Sequence, residues 1–415
     1  MTKYIRQEYP RPDLVRDRWL SLNGEWSFDF DDADQGLREE WARNSSYLDK
    51  VINVPFAYQT PASGINCQAY HPVVWYARDF EVPSDWQGDR VLLHFGAVDY
   101  EATVWVNGVV VGKHAGGYVP FSFDITDVLT DGSNTITVRV VDEDRIDQPR
   151  GKQTATKERW GCWYTPVTGI WQSVWLEPVA ATRFTDIFLK PDIDDEKLTI
   201  EYALSQLQHG LVIEVVATSD GKLVASQEVP VPDKVSRWLG GPLDRGTINL
   251  SVPSPYLWSP ENPFLYDLVL RLRSGDEVLD ELTTYFGMRK IHAERGQVYL
   301  NNRPYYQRLI LDQGYWVEGL YTVTSIDELR KDVELTKAMG FNGTRKHQKI
   351  EDPYFYYFCD KLGLLVWSEM PACASIISST TLLASMACSV LMTENFSTAS
   401  NTLPRLRRPA VSISV

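Results

Sequence analysis

The chain has 415 residues, 44% hydrophobic and 23% charged, a length and balance that suit a globular protein of two to four domains. Its net charge of −14 argues against nucleic acid or an anionic membrane surface as the main partner. The N-terminal "MTKYIRQEYPRPDLVRDRW" is polar rather than leader-like, and no apolar run reaches the roughly 18 residues of a membrane span. Five scattered cysteines do not make a disulfide framework, so a reducing compartment, the cytoplasm, is expected.

Residues 1–180 read as β-structure. "WSFDF" (26–30) and "VWYARDFEV" (74–82) alternate apolar and polar residues, as half-buried strands do. "RVLLHFGAV" and "ATVWVNGVVVG" follow, the latter with Asn107-Gly108 between two apolar runs, a two-residue hairpin signal. "FSFDITDVL", "NTITVRVVDE" and "QSVWLEPV" complete the series. Short strands separated by turn residues predict a β-sandwich of jelly-roll type. Residues 181–287 add about seven strands, the number of an immunoglobulin-like sandwich, from "TDIFLKPDI" to "EVLDELTTYFG".

Residues 288–371 change character. "RPYYQRLIL" reads as a strand and "SIDELRKDVELTKAMG" as a helix, with Ser325 and Glu328 as a capping box and Gly340 as its stop. Leu329, Val333 and the stretch from Leu335 to Met339 would form the helix's apolar face. "NGTRKH" reads as a strand. "DPYFYYFCDKLG" is a helix capped by Asp352, Pro353 and Gly363, and "LLVWS" is a third strand. Strand–helix alternation predicts a parallel α/β arrangement, the opening of a TIM barrel. In such barrels chemistry sits at the C-terminal ends of the strands. Those ends carry Asp312, Gln313, Arg345, His347 and Glu369.

Sandwich, immunoglobulin-like domain and barrel, in that order, resemble glycoside hydrolase family 2, which includes β-galactosidases, β-glucuronidases and β-mannosidases. The likeness rests on "LNGEWSFDFD", "WYARDFEVP", "VLLHFGAVDYEATVWVNGVVVGKHAGGYVPFSFDIT", "WYTPVTGIWQSVWLEP" and "FGMRKI". Asn342–Pro371 is also similar to the family's N-x-x-R…P…D-x-x-G-L-x-V-x-x-E signature. The resemblance implies retaining hydrolysis of β-linked sugars and a carbohydrate substrate, with no cofactor or metal expected from this chain.

By the same resemblance Arg345 matches the signature arginine and Glu369 the carboxylate after the third strand. His347 stands one position earlier than the family's histidine, and Asp312 and Gln313 lie where a relative places substrate contacts. Each has a plainer alternative: a solvated arginine, a capping glutamate, an aspartate paired only with lysine. Trp160, Trp163, Tyr164 and Trp171 read as sandwich core or domain interface, with a sugar platform as the alternative. The charged loop "DEDRIDQPRGKQ" from Asp142 is either solvated or reaches toward the sugar.

The family's acid/base lies in an Asn-Glu pair after the fourth barrel strand and its nucleophile after the seventh. Neither stretch is present, so no catalytic residue is assigned, and this chain is expected to be truncated within the barrel and inactive. A carbohydrate-binding or scaffold protein is the alternative. Residues 372–415 contain nine Ser and five Thr but no Asp, Gly, Lys, Tyr or Trp. This aberrant tail reads as a reading-frame change or mis-joined segment, with a natural disordered tail as the alternative. Glu394, its one acidic residue, is followed by Asn395, the reverse of the family order.

Overall fold

A computed structural model of the chain describes residues 4–145, 147–154, 161–232, 244–373 and 412–414. A six-stranded antiparallel sheet runs in the order Lys50–Val54, Gly24–Phe30, Val73–Glu81, Ser133–Val141, Glu101–Val106 and Val109–Ala115. A second sheet orders Leu20–Ser21, Val174–Val179, Arg90–Phe95 and Phe121–Asp124. Alternation along the strands sends one side chain in two inward. Trp26, Phe28, Val74, Tyr76, Val104 and Val138 thus meet Leu93, Phe95, Val174 and Leu176 in a single core. The Asn107-Gly108 turn has φ of 52° and 74°, the left-handed pair that a two-residue hairpin of this twist needs.

All seven strands expected in 181–287 are present. Phe184–Asp192, Lys197–Leu204 and Arg245–Ser251 form one sheet; Lys222–Pro230, Leu211–Ser219, Tyr266–Ser274 and Glu277–Phe286 form the other. Leu198, Ile200, Ile213, Val215, Leu268 and Leu270 fill the space between them.

The stretch "RPYYQRLIL" is not one strand. Arg303–Pro304 closes a small sheet with Ile291–Glu294 and Gln297–Leu300, and the next strand begins at Leu309. Leu309–Asp312, Gly343–Lys346 and Leu365–Ser368 then pair in parallel, and Ser412–Ser414 pairs in parallel with the last of these. Helices α1 (Ile326–Ala338) and α2 (Pro353–Leu362) connect the first three.

Ser325 caps α1 by accepting from the Asp327 amide. Glu328 turns instead to the Thr324 hydroxyl, 2.7 Å away, so the reciprocal capping box is not formed. The apolar face of α1 is narrower than expected: Leu329 and Val333 are buried, whereas Leu335 and Met339 are exposed. Asp352, Pro353 and Gly363 cap α2 as its sequence predicts.

The N-terminal segment ties the parts together. Arg6 reaches Asp352 at 3.0 Å, Arg11 and Arg16 flank the buried Glu177, and Arg16 pairs with Asp280 at 2.8 Å. Trp171, Tyr118 and Tyr321 share a buried cluster in which the two tyrosine hydroxyls are 2.9 Å apart. The Trp258 indole donates to the Asp360 carbonyl, and Tyr285 donates to the Asp360 carboxylate. Both sandwiches therefore hold the α/β segment.

Candidate active site

Period-two alternation places the side chains of Arg345, His347, Trp367 and Glu369 on one side of the parallel sheet, and those of Thr344, Lys346 and Val366 on the other. Val366 packs with α1 and α2, and the Lys346 ammonium lies 3.9 Å from the centre of the Phe355 ring of α2. The first side is therefore the one turned away from the helices.

There Glu369, 18% exposed, is clamped. One carboxylate oxygen accepts from Arg345 Nε and the other faces His347 Nδ1. Backbone bonds fix both ends: the His347 amide donates to the Asp312 carbonyl, and the Glu369 amide to the Lys346 carbonyl. Partial burial pushes the Glu369 carboxyl upward, but the hydrogen bonds from His347 and Arg345 outweigh it and hold the group below its ordinary value. An ionised carboxylate accepts hydrogen bonds from hydroxyls. It is the wrong protonation state for a general acid at neutral pH.

Asp312 and Gln313 lie elsewhere. With Tyr164, Ile310, Leu311, Gly314, Tyr315, Asp332 and Thr336 they line a cleft of about 350 Å³ along the outermost strand. Asp312 is engaged by Lys346 and accepts from the Gly314 amide at 2.8 Å. The buried Gln313 Oε1 has no protein partner, and Tyr164 stacks on Tyr315 at 4.0 Å. The expected site thus resolves into a clamp (Arg345, His347, Glu369) and a cleft (Asp312, Gln313).

Beneath them runs a buried network that the sequence reading missed. Lys346 bridges Asp312 and Glu351, the latter at 3.1 Å. Lys349 pairs with Glu351 at 2.8 Å and donates to the carbonyls of Gly314 and Tyr321. Burial pulls Lys346 down, yet the charges of Glu351 and Asp312 more than reverse this and raise it. For Lys349 burial wins and lowers it. Lysine is among the residues least often buried, so its identity gave no hint of an interior position. The one available signal was "KHQKIED", two lysines and two acids packed into a strand end.

The loop from Asp142 docks on the end of the α/β segment. The Arg150 and Gly151 amides both donate to the Ala372 carbonyl at 3.1 Å, three residues past Glu369. Asp142 anchors the loop by accepting from Arg150 at 2.8 Å and Thr168 at 2.6 Å. Gly151 has φ of +59°, and a Cβ there would lie 2.2 Å from the Gln348 carbonyl oxygen, so glycine is required on both counts. Of the aromatic residues, Trp171 is interface, Trp163 lies under the Lys152 ammonium, and Tyr164 faces the cleft. Trp160 lies outside the described residues.

Residues 19–177 match the sugar binding domain of glycosyl hydrolases family 2, and residues 182–289 match the next domain of the same family. The chain belongs to glycoside hydrolase family 2. A β-galactosidase from Thermoanaerobacter pseudethanolicus is 27% identical over 368 residues, covering 85% of this chain and 45% of the relative. A β-glucuronidase from Paenibacillus borealis is 26% identical over 88% of this chain and 60% of its own length. A β-glucuronidase from Ruminococcus gnavus, solved in complex with a C6-substituted uronic isofagomine, superposes with a TM-score of 0.73 at 22% identity. It covers 94% of this chain and 66% of that one. The family 2 chain described here thus spans less than half of that galactosidase and about two thirds of that glucuronidase. Among its described residues no helix is long and apolar enough to cross a membrane, and none of its acid, histidine and cysteine side chains group to hold a metal ion.

Proposed function

We propose that the chain is the sugar-holding part of a retaining β-glycosidase. Residues 1–180 form the sugar-binding-type sandwich, 181–287 the immunoglobulin-like spacer and 288–371 the first strands of a TIM barrel. The observation that carries this is Glu369, held ionised between Arg345 and His347 at the end of the third parallel strand. That arrangement offers acceptors and donors to the hydroxyls of a terminal sugar. Asp312, Gln313 and Tyr164 line the neighbouring cleft and extend the contact surface.

Retaining hydrolysis needs an acid/base and a nucleophile about 5–5.5 Å apart. Glu369 is the wrong form for the acid, and Asp312 is neutralised by Lys346. The 415-residue chain by itself therefore binds without turnover, which unites the hydrolase reading with that of a carbohydrate-binding fragment. The free thiols of Cys67, Cys162, Cys359 and Cys373 accord with the cytoplasm.

Isothermal titration with S-linked aryl β-galactosides, β-glucuronides and β-mannosides tests the reading. One of the three should bind, and Glu369→Gln should weaken it about ten-fold or more, the cost of one charge-assisted hydrogen bond. Binding that Glu369→Gln leaves unchanged would place the sugar elsewhere.

A further inference from the structure

Away from the clamp, the loop 55–72 of the first sandwich carries Cys67 and His71, which line up in a relay with Asp32 from the turn after Gly24–Phe30. Cys67 Sγ lies 3.7 Å from His71 Nε2, and His71 Nδ1 lies 2.8 Å and 3.0 Å from the two oxygens of Asp32. The imidazole is held face-on against Phe30, with ring centres 3.7 Å apart, and meets Tyr58 edge-on. The His71 amide donates to the Tyr58 hydroxyl, and the Cys67 amide to the Tyr58 carbonyl. Tyr58 therefore fixes the backbone of both the thiol and the imidazole.

The two nitrogens of His71 point to different partners. The three groups do not converge on one point, as metal ligands would. They form a line in which Asp32 accepts the Nδ1 proton and leaves Nε2 free to take the proton of the thiol. This is the nucleophile–base–orienter arrangement that activates a thiol. Cys67 is partly buried, His71 is largely covered, and the Asp32 carboxylate is open to solvent.

We propose that Cys67 is a covalent-modification site for small electrophiles, with His71 as its base and Asp32 as the residue that orients His71. In the step, the thiol proton passes to His71 Nε2 while a sulfur lone pair forms the new bond to the electrophilic carbon. With a haloacetamide the carbon–halogen bond breaks and halide leaves with its electron pair. The imidazolium, held by Asp32, then loses its proton to water.

Iodoacetamide is the probe, with peptide-resolved mass spectrometry of the full chain. Each cysteine is alkylated at pH 7 in the native chain and again in urea, so that every thiol serves as its own reference. For Cys67 the native rate should exceed the unfolded rate about ten-fold or more, a threshold set below the roughly 10²–10⁴-fold that a positioned base supplies because the thiol is partly buried. For Cys359, which is buried, the ratio should be below one. Asp32→Asn, which changes a solvent-facing carboxylate, should lower the Cys67 ratio at least three-fold with the loop's hydrogen exchange unchanged, and His71→Gln should bring the ratio to one or below. A Cys67 ratio at or below one overturns the proposal. So does a raised ratio that either variant leaves unchanged, because the relay would then not be its cause.

Discussion

Replacing Lys346 with methionine keeps the length of the side chain and removes its charge. Lys346 is 2% exposed and bridges Asp312 and Glu351, so two buried carboxylates lose their shared cation. Breaking a buried ion pair from one side costs about 3–5 kcal/mol. Lys349 still neutralises Glu351 at 2.8 Å, so the lower end, about 3 kcal/mol, is the expected loss. Hydrogen exchange with mass spectrometry on the strands Leu309–Asp312, Gly343–Lys346 and Leu365–Ser368 reads this directly. An opening free energy lower by about 3 kcal/mol raises exchange about 150-fold.

The effect also has a pH signature. Asp312 sits below its ordinary value because the charge of Lys346 outweighs its burial. Its contribution is therefore fully present above the unfolded aspartate value near 3.9 and fades as pH falls through the folded value. Lys346 is raised, so its contribution is full below the unfolded lysine value near 10.4 and is lost only above that. The gap between the two proteins should be constant from pH 6 to 9 and shrink toward pH 3. A gap under three-fold in exchange, unchanged with pH, would show that the network is a solvated charge cluster and would refute the reasoning.

Two other perturbations have definite signs. Burial raises the Asp360 carboxyl to about 7 despite the hydrogen bond from Tyr285; the native chain then binds the proton more tightly, and stability falls as pH rises from about 4 to about 7. Asp360→Asn should remove that slope and stabilise the α/β segment at pH 8 by up to about 3–4 kcal/mol, with little effect at pH 4; equal urea-midpoint shifts at both pH values would contradict this. Gly151→Ala sets a Cβ against the Gln348 carbonyl and strains a left-handed residue, at a cost of about 1–3 kcal/mol. It should speed proteolytic cutting in the 144–153 loop, and an unchanged cutting rate would mean that the loop is not docked.

The strands of both sandwiches were legible because one face of each is buried and the other wet, which writes a period of two into the sequence. The caps of α2 were legible for the same local reason: Asp352, Pro353 and Gly363 each act on backbone within one turn. Arg345, His347 and Glu369 were read together with Asp312 and Gln313 from their place at the strand ends and from the family resemblance; the split into clamp and cleft needed the side-chain directions of the folded sheet. What stayed hidden was long-range. Lys346 looks like a surface lysine until Asp312, 34 positions away, is brought against it. The break before Leu309 depends on the small sheet that takes up Arg303–Pro304. The exposure of Leu335 and Met339 reflects how little of α1 the sheet covers. The docking of the Asp142 loop on Ala372 joins residues more than 220 positions apart, a distance over which sequence pattern carries no information.

The central claim is that this family 2 chain holds a sugar through the clamp on Glu369 but lacks the pair of carboxyl groups that would cleave it. The most direct test is the release of 4-nitrophenol from aryl β-galactoside, β-glucuronide and β-mannoside by the purified 415-residue chain. The account predicts no rate above the uncatalysed background for any of the three. Turnover that survives Glu394→Gln and disappears in Glu369→Gln would contradict it, because Glu369 would then be working as one member of a catalytic pair.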